Sequence, residues 1–107
     1  MQLWLSGVLA GIRTLARAGR IRFTAKAIRE LKALELGLDR ADVRDICECL
    51  SAEDFRQRLI SKVSGERLYV FSPAIVGTTL YLKLALREDC VVISCHEEPS
   101  EQAEDGF

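Results

Sequence analysis

Apolar side chains recur along this chain with two periods, helical in the first half and alternating in the second. Leu5, Val8, Leu9, Ile12, Leu15 and Ala16 fall on one side of a helix, with Arg13 and Arg17 on the other. Gly19 is placed to stop it, because glycine takes the left-handed conformation at little cost. A short link, Arg20 to Phe23, follows. Thr24 can cap a second helix, whose Ala27, Ile28, Leu31 and Leu34 face inward, with Gly37 at its end. Asp39 can cap a third, with Val43, Ile46, Cys47 and Leu50 on one side. Ser51-Ala52-Glu53-Asp54 reads as another capping sequence or a tight turn.

From Phe55 onward the pattern is that of strands. Arg56 to Lys62 predicts a polar edge strand, Ser64-Gly65 a turn, Arg67 to Phe71 a better strand, and Ser72 to Gly77 a loop. The two clearest strands are Leu80 to Arg87 and Cys90 to His96. Reading Glu88-Asp89 as a two-residue hairpin turn sets Leu86 against Val91, Leu84 against Ile93 and Leu82 against Cys95 on a core face. The other face pairs Lys83 with Ser94 and Tyr81 with His96, with Cβ atoms about 5 Å apart.

Helices followed by strands predict an α+β fold. N-terminal helices would pack on one face of a small, mostly antiparallel sheet of roughly three to four strands. The other face would stay open. Assigning Leu68 and Val70 to the core puts Arg67, Tyr69 and Phe71 on that open face, beside Tyr81, Lys83, Arg87, Ser94 and His96. Aromatic planes stack on unpaired bases and cations neutralise phosphates, so the expected ligand of this surface is single-stranded RNA.

Composition bounds the reading without sharpening it. A chain of 107 residues predicts a single domain, spanning 1–98, before an acidic tail at 99–107 of disordered composition. The formal net charge of −1 hides an asymmetry. Residues 1–34 carry seven basic side chains against one acid, and residues 97–107 carry five acids and no base. A basic body suits an anionic partner. Cys47 and Cys49 would point to opposite sides of a helix, and Cys90 and Cys95 to opposite faces of a strand. No metal-ligand spacing results, and reduced thiols in a cytoplasmic protein are expected. No stretch approaches the roughly 20 apolar residues that span a membrane. Phosphate-loop, dinucleotide, metalloprotease and serine-hydrolase motifs are missing, so no cofactor and no metal is expected.

The candidate chemistry centres on His96, the only histidine. An unperturbed imidazole titrates near about 6.5 and serves as acid or base near neutrality. Tyr81 and Lys83 are its expected catalytic companions, and Arg56, Arg58 and Arg67 could hold phosphate as well. The cheapest catalysis for such a surface is metal-independent RNA cleavage. A base would deprotonate the ribose 2′-OH, a cation would hold the phosphorane charge, and an acid would protonate the 5′-oxygen.

Three ordered runs carry a family resemblance. Glu66 to Pro73, Leu80 to Leu84 and Val92 to Glu97 resemble the MqsR family of toxins from bacterial type II toxin–antitoxin systems. Ala18 to Ile21, Glu35 to Asp39 and Leu50 to Phe55 fit as well. The resemblance implies a RelE-like fold and a ribosome-independent mRNA interferase cutting single-stranded mRNA. It also implies a cognate antitoxin, typically with a zinc-binding part and a helix-turn-helix DNA-binding part. Gln57 and His96 stand where the better-known pattern has lysines, and Leu68 where it has glutamine. Tyr81 and Lys83 match. The catalytic set therefore carries over at Tyr81 only, and base specificity does not carry over. The expected RNA contacts are Arg67, Tyr69, Arg56, Arg58, Ser94 and Gln57. The rival reading is a catalytically inactive module that binds an antitoxin or transcription regulator.

Overall fold

A computed structural model describes residues 2–98; the acidic segment at 99–107 lies outside the described residues. Helix α1 spans Leu3–Arg17 and buries Leu5, Leu9, Ile12 and Ala16, the apolar stripe of the sequence. The chain turns at Gly19, whose φ is +74°. Strand β1 (Ile21–Phe23) leads into α2 (Ala25–Ala33), where the Thr24 hydroxyl caps the Ala27 amide. Helix α3 (Arg40–Cys49) begins in a reciprocal capping box between Asp39 and Asp42. A single 3₁₀ turn, Ala52–Asp54, leads to β2 (Phe55–Ile60), β3 (Arg67–Phe71), β4 (Ala74–Ile75), β5 (Thr78–Leu86) and β6 (Cys90–Glu97).

The α+β class holds, but the sheet is larger than three to four strands and it is mixed. Among the described residues six strands are present, ordered β1-β6-β5-β3-β2, with β4 paired to β5. β1 runs parallel to β6, and the other pairings are antiparallel. Both additional strands come from segments read as a link and a loop. A strand of three residues is too short to show alternation. β4 and β5 are joined by Val76 and Gly77, with φ of 50° and 77°. A β-branched residue rarely takes positive φ, so the sequence carries no recognisable hairpin signal there.

Phase and register also depart from the reading. Tyr69 and Phe71 face the helices, where they join Leu82, Leu84 and Cys95 in the main core, while Val70 and Leu68 take the opposite side. Arg67-Leu68-Tyr69-Val70-Phe71 is apolar in both phases, so alternation could not choose between them. The aromatic rings did: Trp4 of α1 packs 6.1 Å from Tyr69, and Phe55 packs 5.6 Å from Phe71.

In the β5–β6 hairpin the connection is the three residues Arg87–Asp89 rather than the expected two, so Leu86 faces Cys90 and Leu84 faces Val92; a bulge then restores the expected register from Lys83–Ser94 to Tyr81–His96. The extra residue is Ile93. It turns Cys90 and Cys95 toward the same core instead of opposite faces.

Helix α2 runs along β6 beyond the end of β1. There the Thr24 hydroxyl donates to the Ile93 carbonyl, and a Glu30 carboxylate oxygen accepts from the Cys95 amide. Polar groups of the sheet edge that β1 leaves open are thereby satisfied by side chains. Among the described residues, no helix is long and apolar enough to cross a membrane.

Candidate active site

The hairpin register places Tyr81 opposite His96 and Lys83 opposite Ser94 on the sheet face away from α1. The Tyr81 and His96 rings stack with centroids 4.7 Å apart and planes 9° from parallel. The Lys83 ammonium lies 5.8 Å from the Tyr81 ring centroid, within cation–π range. The His96 Nδ1 atom lies 2.8 Å from the Glu97 carbonyl oxygen. Since a carbonyl only accepts, Nδ1 carries a proton there and the imidazole presents Nε2 to its surroundings.

Two residues of α2 enter this site, and the sequence reading missed both. Lys26 donates from Nζ to the Ser94 hydroxyl at 2.9 Å. Glu30, one helical turn on, places its second carboxylate oxygen 3.9 Å from His96 Nε2. Their four-residue spacing puts them on one side of the helix, and that was the available signal. That this side overlooks Ser94 and His96 follows only from α2 lying along β6. Ser94 itself is 1% exposed, so its polar role runs through the Lys26 ammonium.

The remaining candidates divide between the two faces. Gln57 pairs with Val70, Val70 with Lys83, and Lys83 with Ser94, so Gln57 shares the site's face across four strands. It stands two strands from Lys83, about 10 Å away. Tyr69, expected as an exposed stacking surface, is instead 8% exposed within the core. Arg67 follows the phase of Tyr69, which places it on the helix side of the sheet rather than on the open face. Arg58 pairs with Tyr69, and its guanidinium lies 4.5 Å from the centroid of the Trp4 ring. Arg56 sits at the β2 bulge and donates to the carbonyls of Glu53 and Phe55.

A shallow groove of about 450 Å³ adjoins His96, between the end of α2 and β6; its walls include Glu30, Leu34, Leu36 and Glu97. Negative charge is felt locally. Burial, reinforced by the Glu30 carboxylate, pushes the Cys95 thiol up to about 11. Among the described residues, no group of three or more His, Cys, Asp or Glu side chains is arranged to hold a metal ion. The site thus offers a stacked imidazole and phenol, two ammonium groups and one carboxylate. Those are groups that move protons and hold phosphate charge.

Residues 7–97 match the family described as "Motility quorum-sensing regulator, toxin of MqsA". The chain belongs to the MqsR toxin family. Among its relatives is the mRNA interferase toxin MqsR of Escherichia coli strain K12, 30% identical over 92 residues, which cover 84% of this chain and 91% of the relative. The MqsR match spans β1 through β6 and includes Lys26, Glu30, Tyr81, Lys83 and His96.

Proposed function

We propose that this protein is the toxin of a type II toxin–antitoxin system, an endoribonuclease that cleaves single-stranded mRNA in the cytoplasm. Family membership supports the toxin role, and the relative's name supports mRNA interferase activity. The observation that carries the chemistry is the Tyr81–His96 stack between Lys83 and Glu30. A RelE-like kinship of the fold belongs to the same reading.

In the reaction, a base removes the ribose 2′-OH proton and the oxygen attacks the adjacent phosphorus. The bond to the 5′-oxygen breaks, and that oxygen takes a proton from an acid. Tyr81 and His96 divide the acid and base roles. Lys83 and Lys26 neutralise the phosphate, with Ser94 holding the Lys26 ammonium in place. Gln57 contacts the strand further along the same face. The products are a 2′,3′-cyclic phosphate and a 5′-hydroxyl, and no metal takes part in any step. The partner that restrains this activity is an antitoxin protein, as the family description implies; the resemblance set out above adds a helix-turn-helix DNA-binding part to that partner.

Induction of the protein alone in a bacterial host tests the toxin reading. Growth arrest with loss of full-length mRNA is expected. His96→Ala should abolish both. Arrest that persists in His96→Ala while full-length mRNA survives would assign the toxicity to binding rather than cleavage.

A further inference from the structure

An oxygen acceptor faces each ring nitrogen of His96. Nδ1 meets the Glu97 carbonyl at 2.8 Å, and Nε2 faces the Glu30 carboxylate at 3.9 Å. Neither acceptor can donate while Glu30 is ionised. An N–H on either ring nitrogen therefore has an acceptor to point toward, the second at ion-pair rather than hydrogen-bond range.

Glu30 is not free to leave. Its other oxygen accepts from the Cys95 amide at 3.1 Å, and withdrawing it would orphan that amide at the sheet edge. The carboxylate side chain is 21% exposed and the imidazole 34%, so water reaches the pair without swamping it. The other charged groups nearby are Lys83 beyond the Tyr81 ring, Lys26 tied to Ser94, and Glu35 and Glu97 lining the adjoining groove.

Resting on the reading that His96 takes part in cleavage, we propose that Glu30 is a positioning residue that holds His96 in its proton-donating form and so makes it the general acid of the reaction. The P–O5′ bond breaks with its electron pair going to O5′, which takes the Nε2 proton. As the O2′–P bond forms, the 2′-OH proton passes to the Tyr81 hydroxyl oxygen, which gives its own proton to solvent water. Exchange with solvent then returns a proton to His96. Glu30 touches no reacting atom.

A leaving-group experiment separates this role from a structural one. The preferred scissile linkage is first mapped on a mixed-sequence RNA. The same oligonucleotide is then made with its ordinary 5′-oxygen or with a bridging 5′-sulfur, which departs without needing a proton. Glu30→Gln keeps an oxygen for the Cys95 amide and loses only the charge.

On the oxygen substrate, His96→Ala should lose the roughly 10²–10⁴-fold that a general acid supplies, and Glu30→Gln a substantial part of it. On the sulfur substrate both variants should approach the wild-type rate. An equal loss by Glu30→Gln on both substrates, or no loss on either, would overturn the positioning role. An equal loss by His96→Ala on both would show that His96 is not the acid, overturning the proposal while leaving the nuclease reading intact. Failure of the wild type to cut either substrate would overturn both together.

Discussion

Tyr81 and His96 lie ring on ring, their planes 9° from parallel and their centroids 4.7 Å apart. Neither is a core residue, yet each fixes the other's orientation on a sheet face that faces solvent. Such a contact is worth about 0.5–1.5 kcal/mol beyond area burial, and it keeps the phenol and imidazole within reach of one phosphate.

Tyr81→Phe preserves the stacked ring and removes only the hydroxyl. Cleavage of a labelled RNA should fall by roughly 10²–10⁴-fold, as for loss of a general acid or base, with thermal unfolding unchanged. A fully active phenylalanine variant would reduce Tyr81 to a packing partner for His96.

Lys26 and Lys83 approach the site from α2 and β5, one on Ser94 and the other over Tyr81. Each ammonium that contacts phosphate on a single strand contributes about 0.7 to the slope of log affinity against log salt. Lys26→Ala and Lys83→Ala should each flatten that slope by about this amount. Arg67→Ala, on the helix side of the sheet, should leave it unchanged. Equal slopes for all three variants and wild type would remove the ammonium groups from the RNA path.

Tyr69 belongs to the core beside Trp4. Truncation to alanine should destabilise the fold by about 3–5 kcal/mol, the usual cost of emptying a large aromatic site. Tyr69→Phe should fold and bind RNA like wild type. Urea unfolding and a binding titration on the two variants check this; loss of RNA affinity in the phenylalanine variant would return Tyr69 to the binding surface.

The thiols make the fold sensitive to alkali. Cys95 is pushed from 9.0 to about 11 by burial and then by Glu30. Cys47 is raised through its hydrogen bond with Cys90 and then by burial. In the unfolded chain these thiols ionise at their ordinary value, so above about pH 9 it binds fewer protons than the folded state. Stability should be intact below about pH 9 and should fall as pH rises through about 11, by on the order of 2 kcal/mol for Cys95. Denaturation midpoints across that range measure the decline, and Cys95→Ala should make it shallower. A flat profile would contradict the burial of these thiols.

The helices and their caps were legible because each rests on local pattern. The Tyr81–His96 register, read from a two-residue turn, came out right only because the bulge at Ile93 offsets the three-residue loop Arg87–Asp89. That bulge was not legible, since Val91, Val92 and Ile93 are interchangeable as apolar strand residues. β3 could be read in either phase until Trp4 and Phe55 decided it from other elements. Lys26 and Glu30 looked like the solvated side of α2. Their part in the site depends on where that helix lies against β6, a tertiary relation spanning 65 residues for the Glu30–Cys95 hydrogen bond.

On the proposed function, this sheet face cuts RNA with its own side chains. The most direct test is purified protein mixed with a single-stranded RNA of mixed sequence in excess chelator, followed by analysis of the new ends. Wild type should give fragments ending in 2′,3′-cyclic phosphate and beginning with 5′-hydroxyl, and His96→Ala almost none. Equal cutting by the two proteins, or cutting by wild type that appears only when a divalent metal is restored, would contradict that function.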